Sequence, residues 1–385
     1  MTNTIAAIFP AVSSKVQVEG IQSVMPLRPT DPRHTRKVVL KHPQTMGIFQ
    51  KCHHILLYYK KASEEDSGWV VAGRLKESVG RALLDYPMIA GRLRWGSNDQ
   101  NASHDHSSNN SQRELELVSN DSGIRLVEAK LPIGLDEFLQ IKDREQAEGE
   151  LVYWEELNEE NPQFCPLAYI QVTNFECGGY SIGFSLSIVL GDPLELTNFL
   201  KHSAKLHKEM FQENKAPVFY LPKLKTNKFF PVPNSSTNPK HVGQTLLYSI
   251  NNVLNSDKEE DDTILKQLAS ACFQDSEEKL STKTELDFAL FVKDHKTGDL
   301  TVEIGSKKGS FSPPLTAKSS PKFTCTKWGD SHLDDIAFWE THKPTSVAYW
   351  IGFRANEGLV MVNPSQVQGS SGRSLDIIVT IPYGK

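Results

Sequence analysis

From Phe175 to Leu200 the chain reads FECGGYSIGFSLSIVLGDPLELTNFL, the longest stretch in which polar positions are sparse. Tyr180 to Leu190 is mostly apolar with small residues interleaved and two glycines before it, the pattern of a strand buried on both faces. Gly191, Asp192 and Pro193 then end the strand and open a helix, with Asp192 as N-cap and Pro193 at the first helical position. A rigid strand that exits sharply into a helix points side chains at a crevice and suits chemistry. Yet Asp192 is the only residue between Cys177 and Glu195 that is charged at neutral pH.

The same pattern analysis extends along the chain. Val16 to Val18 alternates as a short strand, followed by the proline-punctuated VMPLRPTDP, and Gly47 to Lys60 carries the apolar run ILLYY of a central strand. Ala72 to Tyr86 places Leu75, Val79, Ala82, Leu83 and Tyr86 at helical spacing, and Pro87 stops it. MIAGRLRW runs into a strand. ELELVSNDSGIRLVEAKL predicts a hairpin with Asn120, Asp121 and Gly123 in its turn, LDEFLQI a short helix, and Pro166 to Phe175 a strand paired with the Tyr180 strand. The stretch 215–239 is rich in Pro, Lys, Asn and Ser and reads as a crossover, which divides the chain into an N-terminal lobe, 1–214, and a C-terminal lobe, 240–385. Beyond it, Leu246 to Val253 predicts a strand, Glu259 to Asp262 a solvated acidic turn, Thr263 to Phe273 a helix, and Leu286 to Lys293 and Leu300 to Ile304 strands. VAYWIGF, GLVMVNP and LDIIVTIP predict three more. Strands and helices alternate throughout, so the expected class is mixed α/β, with a crevice where the lobes meet.

Composition narrows function more than fold. The 385 residues are 38% hydrophobic and 23% charged with a net charge of −5, which argues against a disordered chain and against a general nucleic-acid footprint. The mixed-charge stretch Arg33 to Lys41 reads as a solvated loop. Five scattered cysteines without a CxxC pair predict buried free thiols in a reducing compartment. His104 and His106 form an HDH in a polar linker, with no further ligand motif nearby, so no metal is expected. The N-terminus shows neither a signal peptide nor a span of about 18 apolar residues, and the expected location is the cytosol or the cytosolic face of a membrane.

Four segments in one order resemble the plant BAHD acyltransferase family: LKESVGRALLDYPMIAGRLR, LVSNDSGIRLVEA, CGGYSIGFSLSIVLGD, and FTCTKWGDSHLDDIAFWETHKP followed by GLVMVNP. The resemblance implies two chloramphenicol-acetyltransferase-like lobes around a central tunnel. Acyl-CoA would be the co-substrate, no metal or other cofactor would be needed, and an alcohol or amine would be the acceptor. In the family the histidine of an HxxxD motif is the general base, because imidazole titrates near working pH, and the motif aspartate is architectural, holding its loop by a salt bridge. Carried onto this sequence, the histidine position is Ile188 and the aspartate position Asp192. The DFGWG positions are Ile336, Ala337, Phe338, Trp339 and Glu340, of which only Trp339 matches, as a structural residue.

Isoleucine can neither accept a proton nor hydrogen-bond, and Ser185 and Ser187 would each need a base of their own. No catalytic residue is therefore assigned. The segments NDSGIRLVEA, PLAYIQVTNFECGGYSIGFS and KPTSVAYWI further resemble the eceriferum-type proteins of cuticular wax biosynthesis. That resemblance implies a pseudoenzyme, peripheral to the endoplasmic reticulum, that assists the fatty-acid elongase in making very long chains; a monomer is expected. The BAHD resemblance also implies a final helix after LDIIVTIP, which the C-terminal lobe as given lacks. The alternative is an active transferase with a substitute base among His34, His53, His54, His332 and His342.

Overall fold

A computed structural model describes residues 16–41, 47–96, 113–142, 144–212, 243–253, 258–284, 287–294, 296–307, 322–328, 333–339, 342–352, 358–365 and 373–382. In chain order the strands are β1 (Gln17–Val24), β2 (Thr35–Leu40), β3 (Cys52–Tyr59), β4 (Arg92–Trp95), β5 (Arg113–Val118), β6 (Ile124–Leu131), β7 (Ala168–Phe175), β8 (Tyr180–Ser187), β9 (Gly243–Val253), β10 (Phe288–Lys293), β11 (Leu300–Gly305), β12 (Lys322–Lys327), β13 (Ser346–Gly352), β14 (Gly358–Ser365) and β15 (Arg373–Pro382). The helices are α1 (Gly68–Asp85), α2 (Leu135–Leu139), α3 (Arg144–Glu148), α4 (Pro193–Gln212) and α5 (Lys258–Lys279), with short 3-10 turns between. The stretch 215–239, His104, His106, His332 and Glu340 lie outside the described residues.

The strands form two sheets. The six-stranded sheet runs β1-β6-β7-β8-β3-β13 and the nine-stranded sheet β12-β9-β15-β14-β10-β11-β2-β5-β4. Each sheet borrows from the other half of the sequence: β2, β4 and β5 join the nine-stranded sheet, and β13 closes an edge of the six-stranded one against β3. The largest buried cluster joins α1 and α4 to one face of each sheet, for example Val79 and Phe199 with Ile182, Val38 and Leu359. A second cluster packs α5 on the other face of the nine-stranded sheet, and a third lies under α2 and α3.

β8 sits at the centre of the six-stranded sheet and is buried along its whole length, as its pattern predicts. Its alternation has a packing reason. Tyr180, Ile182, Phe184 and Leu186 belong to the cluster under α1 and α4. Ser181, Gly183, Ser185 and Ser187 point the other way, where the chain at Leu151 crosses so close that a Cβ on Gly183 would lie 2.3 Å from the Leu151 carbonyl oxygen. The expected β7–β8 hairpin is present, with Gly178 at φ +85° in its turn.

Three expectations need correction. ELELVSNDSGIRLVEAKL is not a hairpin: β5 pairs with β2 and β4 in one sheet and β6 with β1 and β7 in the other, so the turn carries the chain between sheets. The turn is held from a distance. Gly123 N–H donates to the Ala90 carbonyl at 3.0 Å, and buried Arg92 donates to the carbonyls of Gly91 and Gly123 at 2.8 Å and Ser122 at 3.1 Å. Arg33 to Lys41 is mostly strand β2, because Val38 and Leu40 enter the core. The acidic run from Glu259 to Asp262 is not a turn: it lies within α5.

Candidate functional site

The expected site is the turn from β8 into α4. Asp192 caps the helix as the sequence indicated: its Oδ1 accepts from the N–H of Leu194 at 2.6 Å and of Glu195 at 3.0 Å, and Glu195 Oε2 accepts from the Asp192 N–H at 3.4 Å. Its Oδ2 accepts from Asn363 Nδ2 of β14 at 2.9 Å. Among the described residues this amide stands where a salt bridge was expected. Burial, then the charge of Glu195, pushes the Asp192 carboxyl up to about 6, against the two helix N–H bonds and the charge of Lys293.

Two further side chains of the nine-stranded sheet hold the same turn. Arg36 of β2 donates to the carbonyls of Val189 and, at 3.1 Å, Leu190, and burial lowers its guanidinium pKa. Lys293 of β10 ion-pairs with Glu195. Arg36, Lys293 and Asn363 thus pin the turn of one sheet onto the other. Periodicity could not have found them, since the group each one holds is distant from it in sequence.

Ile188 is completely buried in the main cluster, and its N–H extends the ladder to the Lys51 carbonyl at 3.2 Å. The crevice expected beside it is filled with side chains. Trp339 is buried with its ring 5.5 Å from the Arg74 guanidinium carbon, and its neighbour Phe338 packs on Tyr59, Phe184 and His207. The Tyr59 hydroxyl donates to the Ile336 carbonyl at 2.8 Å. The 336–339 segment therefore fastens the C-terminal half of the chain to the six-stranded sheet.

Of the candidate histidines, His34 is exposed at the start of β2. His342 is half-buried and donates its backbone N–H to the Trp339 carbonyl. His54 faces away from Ile188, its Nε2 3.0 Å from Cys52 Sγ and its Nδ1 2.9 Å from Ser185 Oγ. Nucleophile, base and orienter are all present there by residue type. Burial, however, raises the Cys52 thiol well above its usual range, which disfavours the thiolate that a nucleophile needs. Of the described candidates, His53 reaches the motif turn, with Nε2 3.1 Å from the Gly191 carbonyl oxygen. Burial holds its imidazole down to about 4, against the effect of that bond. His207, which sequence reasoning did not single out, is buried between α1 and α4 with Nδ1 3.1 Å from Ser78 Oγ, and burial lowers it to about 3. All five cysteines are free, but only Cys52 and Cys272 are buried, and Cys177 is exposed. No group of three metal-ligating side chains occurs among the described residues, and none of their helices is long and apolar enough to cross a membrane.

Residues 16–288 match the Transferase family, which is more than half of the chain. The chain belongs to this BAHD acyltransferase family. The BAHD chain is 29% identical to Protein ECERIFERUM 2 of Arabidopsis thaliana over 162 residues, 42% of this chain and 37% of that protein. It is 40% identical to Protein ECERIFERUM 26-like of the same plant over 83 residues, 22% of this chain and 19% of that protein. It therefore spans less than half the length of these relatives. The crystal structure of vinorine synthase aligns over 96% of this BAHD chain and 95% of its own, at 15% identity and a TM-score of 0.45.

Proposed function

We propose that this BAHD protein is catalytically impaired and acts as an accessory factor in very-long-chain fatty acid elongation for cuticular wax. It would bind acyl-CoA or an acyl chain, and work with the fatty-acid elongase at the cytosolic face of the endoplasmic reticulum. The observation that carries this reading is Ile188: at the position matched to the motif histidine stands an apolar side chain with no exposed surface, inside a closed core. Removing a general base costs roughly 10²- to 10⁴-fold in rate, so turnover by positioning alone would be slow. The retained Asp192 and Trp339 support the same reading, since both act here as fasteners. Similarity to two ECERIFERUM proteins supports the wax pathway over other family chemistries.

The test pairs two assays. Purified protein with a panel of acyl-CoAs and alcohol or amine acceptors is expected to show no turnover above background, and Ile188→His to raise it. Fast turnover by the unmodified protein overturns the reading. Co-expression with a fatty-acid elongase is expected to lengthen its products, and unchanged chain lengths count against the accessory role. One observation favours the alternative, an active transferase with a substitute base: His53 is the candidate histidine that touches the motif turn. Loss of that fast turnover in His53→Phe would identify it.

A further inference from the structure

The segment that follows β1 carries its apolar side chains outward. Met25 is 57% exposed and Leu27 39%, Pro29 and Pro32 are exposed beyond them, and Leu84 of α1 is 39% exposed. These groups meet around Gly80. A Cβ added there would lie 3.0 Å from the Met25 carbonyl oxygen and 3.1 Å from Leu27 Cδ2, and Leu84 is one helical turn further along the same face of α1.

The segment is tied down along its length. The Leu27 N–H donates to the Gly80 carbonyl at 3.2 Å, and Thr30 donates its N–H and its hydroxyl to the Asp121 carboxylate at 2.9 and 2.6 Å. At its far end the His34 N–H donates to Ser119 Oγ at 2.7 Å, and the Ser119 N–H returns a bond to the His34 carbonyl at 2.9 Å. Pro26, Pro29 and Pro32 stiffen what lies between. An apolar side chain on a loose tail needs no explanation, whereas one held outward on a fixed segment has little ordering left to lose on docking.

The charge beside these side chains is mainly positive. Arg28 and Arg33 are exposed, and neither has a hydrogen-bond or ion-pair partner among the described residues. The carboxylates around them are engaged elsewhere, Asp121 by Thr30, Glu77 by Arg81 and Asp85 by His202, and Asp31 is exposed between the two arginines. A folded partner would need a carboxylate placed opposite each guanidinium. A fluid anionic leaflet supplies negative headgroups wherever the guanidinium groups fall, and its acyl boundary takes the apolar side chains.

We propose that Met25, Leu27 and Leu84, with Arg28 and Arg33, form a surface that docks this protein on an anionic bilayer. The proposal rests on the reading that places the protein at the cytosolic face of a membrane, and it names the side of the molecule that meets the lipid. The apolar side chains enter the headgroup boundary, and the two arginines stay at headgroup level.

The experiment uses the full chain in co-sedimentation with vesicles of phosphatidylcholine alone and of phosphatidylcholine with phosphatidylserine at about one lipid in four. Binding is expected to be about tenfold tighter to the anionic vesicles, and added salt should erase the difference. Met25→Ser combined with Leu27→Ser is expected to weaken binding to both vesicles about tenfold. Arg28→Gln combined with Arg33→Gln should weaken the anionic vesicles alone, again about tenfold. The substituted side chains are exposed, so the thermal transition should be unchanged, and the salt series on the unmodified protein stands by itself if a variant does not fold. Absence of vesicle binding, or both double variants binding as the unmodified protein does, overturns the proposal. Self-association in lipid-free solution that Met25→Ser with Leu27→Ser abolishes also overturns it, since a second copy then covers the patch. Vesicle binding without any change in elongase products keeps this proposal and removes the accessory role, and lengthened products without vesicle binding do the reverse.

Discussion

The turn into α4 hangs on Asp192: two helix N–H bonds and the Asn363 amide meet its carboxylate, and its pKa rises from an ordinary 3.8 to about 6 through burial and the nearby Glu195. Between about pH 4 and 6 the unfolded chain has released this proton while the folded chain retains it. Stability contributed by the protonated group is therefore full at low pH and lost as pH rises to 6. The slope approaches one proton, about 1.4 kcal/mol per pH unit. Asn is as good an N-cap as Asp and does not titrate. Asp192→Asn should therefore fold and lack this decline, which urea titrations of both proteins from pH 4 to 7 would measure; parallel profiles would refute it. The N-cap role and the apolar Ile188 were legible in the sequence, because both follow from local pattern. Which histidine reaches the turn was not, since His53 and His54 are adjacent in sequence and only the facing of β3 sends one toward Gly191 and the other toward Ser185.

Among the secondary-structure elements, β8 shows how a strand can be legible while its surroundings are not. Its alternation of large and small residues announced burial on both faces, but not that the small face accepts the backbone near Leu151. Gly183→Ala should force that chain outward and destabilise the protein by about 1–3 kcal/mol. Gly149→Ala, where a Cβ would meet nothing within 4 Å, should be near neutral. Denaturant midpoints of the two variants would decide, and a tolerated Gly183→Ala would show that the cover is not close-packed. The segment from β5 to β6 failed as a hairpin for a related reason. Alternation and turn residues specify two strands and a reversal, whereas Arg92 and Ala90, some thirty residues away, decide which sheet receives the second strand. Tertiary partners overrode a sound local pattern.

For the whole molecule, the division at 215–239 meets a fold whose two sheets exchange strands across it. Fragments 1–214 and 240–385 would each leave a sheet with unpaired inner edges: β11 without β2, and β3 without β13. Neither fragment should unfold cooperatively when expressed alone, and co-expression should restore a cooperative thermal transition; a lone fragment with its own sharp transition would contradict this. The sequence by itself determined the α/β class, most of the strands, the cap on α4 and the apolar residue at the matched base position, because these rest on periodicity, turn chemistry and residue identity within a few positions. Only the tertiary structure decided that Arg36, Lys293 and Asn363 pin the motif turn, that the core around Ile188 is closed, and that His53 touches that turn. These depend on contacts between strands far apart in the chain, whose register is set by the burial of the whole sheet and not by any one segment.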